Sequence, residues 1–358
     1  MRYLIDSHLD LSWNAMSWNR DITKSIAHIR AAERGMDDTQ GRDLATVSLP
    51  EMKRAKMAVC FATLLARAKS EVLSWKRVDL DFRNQEIANA TAVGQLQYYH
   101  ILESQGAMRQ LFTASDLKSH WAACEKDFDA QPQGYFLAME GADPILNADD
   151  IKVWWDRGLR LLGLSHYGAS AYAVGTNASG PLTSRAPAVL KAMEEVGMIL
   201  DMTHMSDPSF FQAIDLFGGR IHASHNNCRS LVNDERQFTD EQLRMIIERD
   251  GVIGAVMDTW MLMPGWVLGK TSRDLVTMEN VADHIDHICQ LAGNCNHAAI
   301  GSDLDGGYGT EQSPGDIETI YDLHKLEVVL ESRGYKSEDI DKVFFGNWKR
   351  FLLEAMPA

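Results

Sequence analysis

The chain has 358 residues, 45% hydrophobic and 24% charged, with 50 acidic residues against 35 basic ones. The net charge of −15 repels phosphate backbones and anionic lipid, so neither nucleic acid nor a membrane is an expected partner. The length suits two average domains or one α/β barrel, and no stretch approaches the roughly 20 apolar residues of a membrane span.

At the N-terminus, MRYLIDSHLD runs straight into an apolar stretch, with no room for a secretory leader. The cysteines, Cys60, Cys124, Cys228, Cys289 and Cys295, are scattered and form no CxxC pair. A disulfide framework or zinc knuckle is therefore not expected, and a cytoplasmic setting is. Short, continuous apolar runs predict strands at 3–5, 58–65, 135–139, 159–164, 198–202, 221–223, 252–257 and 298–300. Unbroken rather than alternating apolarity suits strands buried on both faces, as in a parallel sheet.

Helices are expected between them at 81–105, 148–157, 184–196, 207–217, 239–249, 278–291 and 316–333. Thr239 ahead of Asp240 and Glu241 is a start signal; Gly197 and Gly293 are stop signals. Strand–helix alternation of this kind predicts a single (β/α)8 TIM-type barrel, one domain over 1–358. A doubly wound sheet is the rival, but no GxGxxG follows the first strand. Residues 11–50 form a long, charged and weakly periodic first connection, expected over the C-terminal mouth of the barrel.

Polar residues stand where the predicted strands end: His8-Leu9-Asp10, Glu140-Gly141, Ser165-His166, Thr203-His204, Ser224-His225 and Asp303-Leu304-Asp305. Two residues apart on a strand, His8 and Asp10 point the same way. Neutral imidazoles and carboxylates are donors for zinc and similar divalent ions, and a carboxylate between two such ions is needed to bridge them. Each pair alone is weak, but six strand ends with the right residue type make a metal site the better reading.

Other histidines serve as controls. His28, His100, His120, His297 and His324 are read as surface or packing residues, and His222 faces away from His225 by alternation. His284 and His287, on one turn of an outer helix, are assigned solvated or hydrogen-bonded roles.

The segments DSHLDL, AMEGAD, LLGLSHYGASAYAVG, GMILDMTHMS, HASHNNCRS, VADHIDHICQLAG, IGSDLDGG and FGNWKRFL resemble the membrane (renal) dipeptidases of the amidohydrolase superfamily, in order from residue 6 to residue 351. The resemblance implies a binuclear zinc dipeptidase. His8 and Asp10 would hold one ion, His204 and His225 the other, with Glu140 bridging. His166 would contact the scissile carbonyl, Arg236 would bind the substrate carboxylate, and Asp303 would shuttle the proton. A homodimer is the family's implied assembly, and a D-residue at the C-terminal side is among the implied substrates. Asp305 is read as structural or as supporting the site from behind, and the Gly306-Gly307 pair suggests that it shapes the turn.

The likeness frays at strand seven, where Val256-Met257-Asp258 replaces an Asn-Phe-Tyr-like sequence. It also frays at Gln237-Phe238-Thr239, after Arg236, and in the tryptophan-rich first loop. Trp260 or Trp266 is a candidate aromatic wall, with core packing the alternative. The second reading keeps the two-metal site but acts on an acyl-amino acid, lactone or biosynthetic intermediate. A third is a non-catalytic, metal-binding barrel.

Overall fold

The computed structural model describes residues 1–69 and 77–358. The eight apolar runs become parallel strands: β1 (Leu4–Leu9), β2 (Met57–Leu65), β3 (Gln133–Glu140), β4 (Leu159–Gly163), β5 (Ile199–Asp201), β6 (Ile221–His222), β7 (Ile253–Ala255) and β8 (Ala298–Ile300). Every residue of β1, β2 and β3 is buried, as unbroken apolarity requires.

β1 to β6 pair in sequence order. A parallel bridge from Ala223 to Ile253 leads on to β7, which pairs with β8 from Ile253–Ala298 to Ala255–Ile300. Between β8 and β1 the link is made through side chains: Ser302 N–H donates to Asp6 Oδ1 at 2.9 Å, and the Ser7 hydroxyl faces the carbonyl of Ile300 at 3.1 Å. The same hydroxyl reaches Ser224 O. Only glycine fits opposite this crowding, since a Cβ on Gly301 would lie 1.8 Å from Ser224 O and one on Gly254 2.1 Å from it.

Most expected helices form, with the expected ends. Thr239 and Gln242 exchange side-chain and backbone hydrogen bonds in a capping box, while Gly197 (φ 78°) and Gly293 (φ 69°) end theirs in the left-handed conformation. The predicted helix at 81–105 needs correction. Asp81–Phe82 pairs as a short strand with Arg67–Ala68, and the helix runs Gln85–Ser104 because the Asn84 side chain caps it. A strand, Met108–Gln110, and a helix, Ala114–Lys126, follow it without having been predicted. That helix carries a Thr113–Asp116 capping box and buries Leu117, Trp121 and Cys124.

The helix expected at 316–333 is in fact a 3-10 turn, Ile320–His324, followed by Lys325–Ser332. The chain then adds Ser337–Asp341, a π turn and Asn347–Ala355. Trp348, Phe351 and Leu352 of this last helix pack with strand residues Ile5, Val59, Phe61, Phe136, Leu161, Ile199 and Ala299.

The first connection is more ordered than its sequence suggests, with helices at Leu11–Ser17 and Ile26–Glu33. Its return leg is fastened to the barrel by Asp305. That carboxylate accepts from Thr46 N (2.8 Å), Thr46 Oγ1 (2.7 Å) and Val47 N (3.0 Å) and lies 3.4 Å from Arg20 Nη1. The structural reading of Asp305 is the correct one. Among the described residues, no helix is long and apolar enough to cross a membrane.

Candidate active site

The strand ends deliver their polar residues to one point. His8 lies within β1 and Asp10 just beyond it, and Glu140 is the last residue of β3. His166, His204, His225 and Asp303 lie a few residues past β4, β5, β6 and β8. His204 (φ 67°) and Asp303 (φ 56°) adopt the left-handed conformation. For a non-glycine residue this costs about 1–3 kcal/mol, and such strain gathers where function over-determines geometry.

The Glu140 carboxylate is the hub. Its Oε1 lies 3.1 Å from His204 Nε2, 3.3 Å from His225 Nε2, 3.6 Å from His8 Nε2 and 3.8 Å from His166 Nε2. His8 Nε2 is also 3.8 Å from Asp10 Oδ2 and 3.7 Å from Asp303 Oδ1. The hydroxyl of Thr63 donates to Asp10.

The other ring nitrogens reveal two kinds of histidine. His204 and His225 turn Nδ1 to hydroxyls, Thr176 Oγ1 and Ser224 Oγ, each at 2.9 Å. A hydroxyl can accept from Nδ1–H, leaving the Nε2 lone pair free for the centre. His166 instead turns Nδ1 toward Arg67 Nη1 at 3.2 Å. A guanidinium only donates, so His166 Nδ1 must accept, and the neutral ring carries its proton on Nε2, facing Glu140. His166 therefore faces the centre with a donor, and the other two can face it with lone pairs.

Charge agrees with this division. Burial, with Arg236 adding to it, holds His204 well below the usual histidine range; burial, then His8 and Arg236, does the same for His225. Burial followed by Arg67 does so for His166. His8 runs the other way: burial opposes its charge, yet Glu140 and Asp10 raise it well above the usual value. Burial pushes Asp303 well above the carboxylate range, against the pull of His8 and with the push of Glu140 and Asp10.

A family model, "Membrane dipeptidase (Peptidase family M19)", matches residues 2–356. The chain belongs to the membrane dipeptidase family. The uncharacterized protein of the pqqA 5′ region in Klebsiella pneumoniae is 26% identical over 260 residues, 70% of this chain and 90% of that protein. The dipeptidase tcpJ of Claviceps purpurea is 25% identical over 226 residues, 61% of this chain but only 50% of the fungal protein. Among solved structures, a metallopeptidase described as dipeptidase AC superposes with a TM-score of 0.79 at 22% identity, over 100% of this chain and 99% of the other. A metallopeptidase of Rhodobacter sphaeroides, liganded with a phosphinate mimic of the dipeptide L-Ala-D-Ala, gives a TM-score of 0.79 at 22% identity over 99% of both chains. These superpositions show the shared barrel. Family membership makes this chain a metal-dependent hydrolase of the dipeptidase class.

The donor set of this dipeptidase fits a metal. His204 Nε2 and His225 Nε2 lie 3.1 Å apart, both beside a carboxylate oxygen. Three electron-rich atoms held that close repel one another unless a cation sits among them. Among the described residues, His8 Nε2 is buried without a hydrogen-bond partner. His8–Glu140–His225, Glu140–His166–His204 and His8–Asp10–Asp303 each bring ligand atoms within 4.8 Å of one another. The tautomer of His166 argues against its use as a ligand in the second trio.

A cavity of ≈ 380 Å³ opens above the hub, lined by Asp10, Glu140, His166, His204, Arg236 and Asp303 from the predicted set. Arg236 is buried, donating from Nη1 to Asn226 Oδ1 and from Nη2 to His225 O, both at 2.9 Å. Trp260 lines the cavity, whereas Trp266 is buried with its indole N–H on Ser272 O; of the two candidate walls, Trp260 is the one. Trp13 of the first loop also lines it.

The control histidines lie elsewhere. His222 packs on Phe61, Trp348 and Phe351. His284 accepts from Cys228 N–H, and His287 bonds Ser230 and Asp240. Arg67, the partner of His166 Nδ1, is a candidate site residue that sequence reasoning missed. It stands two positions after Leu65, the end of β2, so the rule that found the other strand-end residues would have found it.

Proposed function

We propose that the chain is a binuclear zinc dipeptidase, one domain over 1–358, hydrolysing dipeptides or similar small carboxylate-bearing amides. His8 and Asp10 would hold one ion and His204 and His225 the other, with Glu140 between them. Divalent ions there would lower the pKa of a shared water and polarise the scissile carbonyl. The observation that carries the reading is the meeting of the His204 and His225 lone pairs on one Glu140 oxygen.

Around that centre the protein's own groups divide the work. Asp303, whose carboxylate stands 3.7 Å from His8 Nε2, takes the proton of the attacking water and returns it to the leaving amine. His166 Nε2–H, oriented by Arg67, donates to the carbonyl oxygen as charge develops on it. Arg236, buried and pre-oriented, grips the substrate carboxylate with its planar fork. A D-residue at the C-terminal side draws support from the Rhodobacter neighbour, whose ligand mimics L-Ala-D-Ala. Cytoplasmic residence is supported by five cysteines that form no disulfide, and a homodimer rests on the family resemblance.

The Val256-Met257-Asp258 wall favours a second reading, in which the same centre acts on a non-dipeptide amide or lactone. Elemental analysis after zinc loading, paired with a mixed L- and D-dipeptide library, tests the proposal. About two zinc ions per chain and turnover of at least one dipeptide are expected. Fewer than one ion per chain, or turnover confined to substrates without a carboxylate, would overturn it.

A further inference from the structure

Among the described residues, two charged groups on the cavity wall have no ion-pair partner, and three guanidinium groups line the cavity, Arg67, Arg77 and Arg236. Arg67 pairs with Asp81 at 2.7 Å and Arg77 with Asp79 at 3.2 Å. Among the described residues the Arg236 guanidinium bonds neutral oxygens, which leaves its charge for a substrate carboxylate.

Asp258 is the counterpart. Asp10, Glu140 and Asp303 gather around His8, but Asp258 stands apart at the end of strand seven. Its carboxylate is 6% exposed and is held by neutral donors: Gln312 Nε2 at 3.0 and 2.9 Å, and Trp260 Nε1 at 2.6 Å. Among the described residues no cation lies within ion-pair distance of it. A buried carboxylate without a cation is expensive, and neutral hydrogen bonds recover only part of the loss. Burial accordingly raises Asp258 to about 7, against the pull of Gln312, Trp260 and Arg236.

The two unmatched charges belong to one wall. Asn226, which holds Arg236, adjoins Asn227, whose side-chain amide accepts from Val256 N–H at 3.2 Å and donates to Val256 O at 3.1 Å. Asp258 is two residues further on. The groups that would act on the scissile bond come from β1, β3, β4, β5, β6 and β8. Arg236 and Asp258 line the same cavity, near enough for Arg236 to pull on the Asp258 carboxylate.

Building on the proposed hydrolase reading, we infer that Asp258 selects amides whose C-terminal residue carries a cationic side chain, an ammonium or guanidinium, between the Arg236 and Asp258 charges. The preferred substrates are dipeptides ending in lysine, arginine or a similar basic residue, with Gln312 and Trp260 fixing the carboxylate that receives them.

The test compares kcat/KM of the zinc-loaded enzyme for Ala-Lys and Ala-Arg with Ala-norleucine, a near-isostere without the charge, using L and D forms of the C-terminal residue. Lys-Ala and norleucine-Ala report on the other end. A preference of about 10-fold or more for the basic C-terminal residue, mostly in KM, is expected. Asp258→Asn should bring the Ala-Lys to Ala-norleucine ratio close to one, and Asp258→Glu should retain most of it. Circular dichroism and thermal melts establish that each variant is folded.

Equal rates for Ala-Lys and Ala-norleucine in the parent enzyme overturn the inference while leaving the hydrolase intact. So does a preference that survives in Asp258→Asn, or one that appears only at the N-terminal residue. No turnover of any dipeptide overturns the hydrolase reading, and the inference falls with it.

Discussion

The floor and the wall of the cavity were built by different rules. On the floor, Glu140 and the imidazoles of His8, His166, His204 and His225 come from strand ends whose direction the barrel dictates. On the wall, Trp13, Trp260, Gln312 and Asp258 come from loops of differing length and origin. A parallel barrel leaves its strand-end geometry little freedom, while its loops vary without disturbing the core. The proposed hydrolytic groups therefore stand on the floor, and the wall is where the sequence departs from the family's pattern.

Substitutions can break that division, the largest effects falling on the floor. Glu140→Gln removes the central charge, and kcat/KM should fall by about 1000-fold or more with loss of bound zinc on elemental analysis. An active, metal-replete Glu140→Gln would mean that the floor is not a metal centre. Asp305→Ala strips Thr46 and Val47 of their acceptor, while Arg20 keeps its pair with Glu33 at 2.8 Å. A loss of about 1–3 kcal/mol is expected in chemical denaturation, because buried donors of the first loop are left unsatisfied. Stability within 1 kcal/mol of the parent would show that the first loop is anchored elsewhere.

Effects on the wall should be smaller and should separate binding from chemistry. Arg236→Ala removes the carboxylate grip and should cost about 100-fold in kcat/KM, chiefly through KM. Arg67→Met frees the His166 tautomer, and a drop of about 10-fold in kcat with unchanged zinc content is expected. Loss of zinc in Arg67→Met would make His166 a ligand after all.

The smallest effect is on pH dependence. Asp258 carries a raised pKa of about 7, so it is neutral below that pH and charged above. The preference for Ala-Lys over Ala-norleucine should accordingly grow several-fold from pH 6 to pH 8 in kcat/KM, which reports the free enzyme. A flat ratio would remove Asp258 from substrate recognition.

Much of this arrangement was legible beforehand, and for identifiable reasons. Eight buried strands announced themselves through unbroken apolar runs, and period-two alternation placed His8 with Asp10 and His222 away from His225. Missed elements had weaker signals. Helix Ala114–Lys126 is polar on most of its surface, and the first loop folds into helices with little periodicity. Arg67 passed unnoticed because an arginine is usually a surface charge; its meaning lies in His166, 99 positions away.

From sequence alone came the barrel, the strand-end donors and the family, because each depends on local pattern: apolar runs, residue spacing, and motifs in order. Tertiary structure alone decided which nitrogen of each histidine faces the centre and which tryptophan borders the cavity. It also decided which charges there are left without a partner. Those properties depend on groups far apart in the chain, and only folding brings them within hydrogen-bonding range.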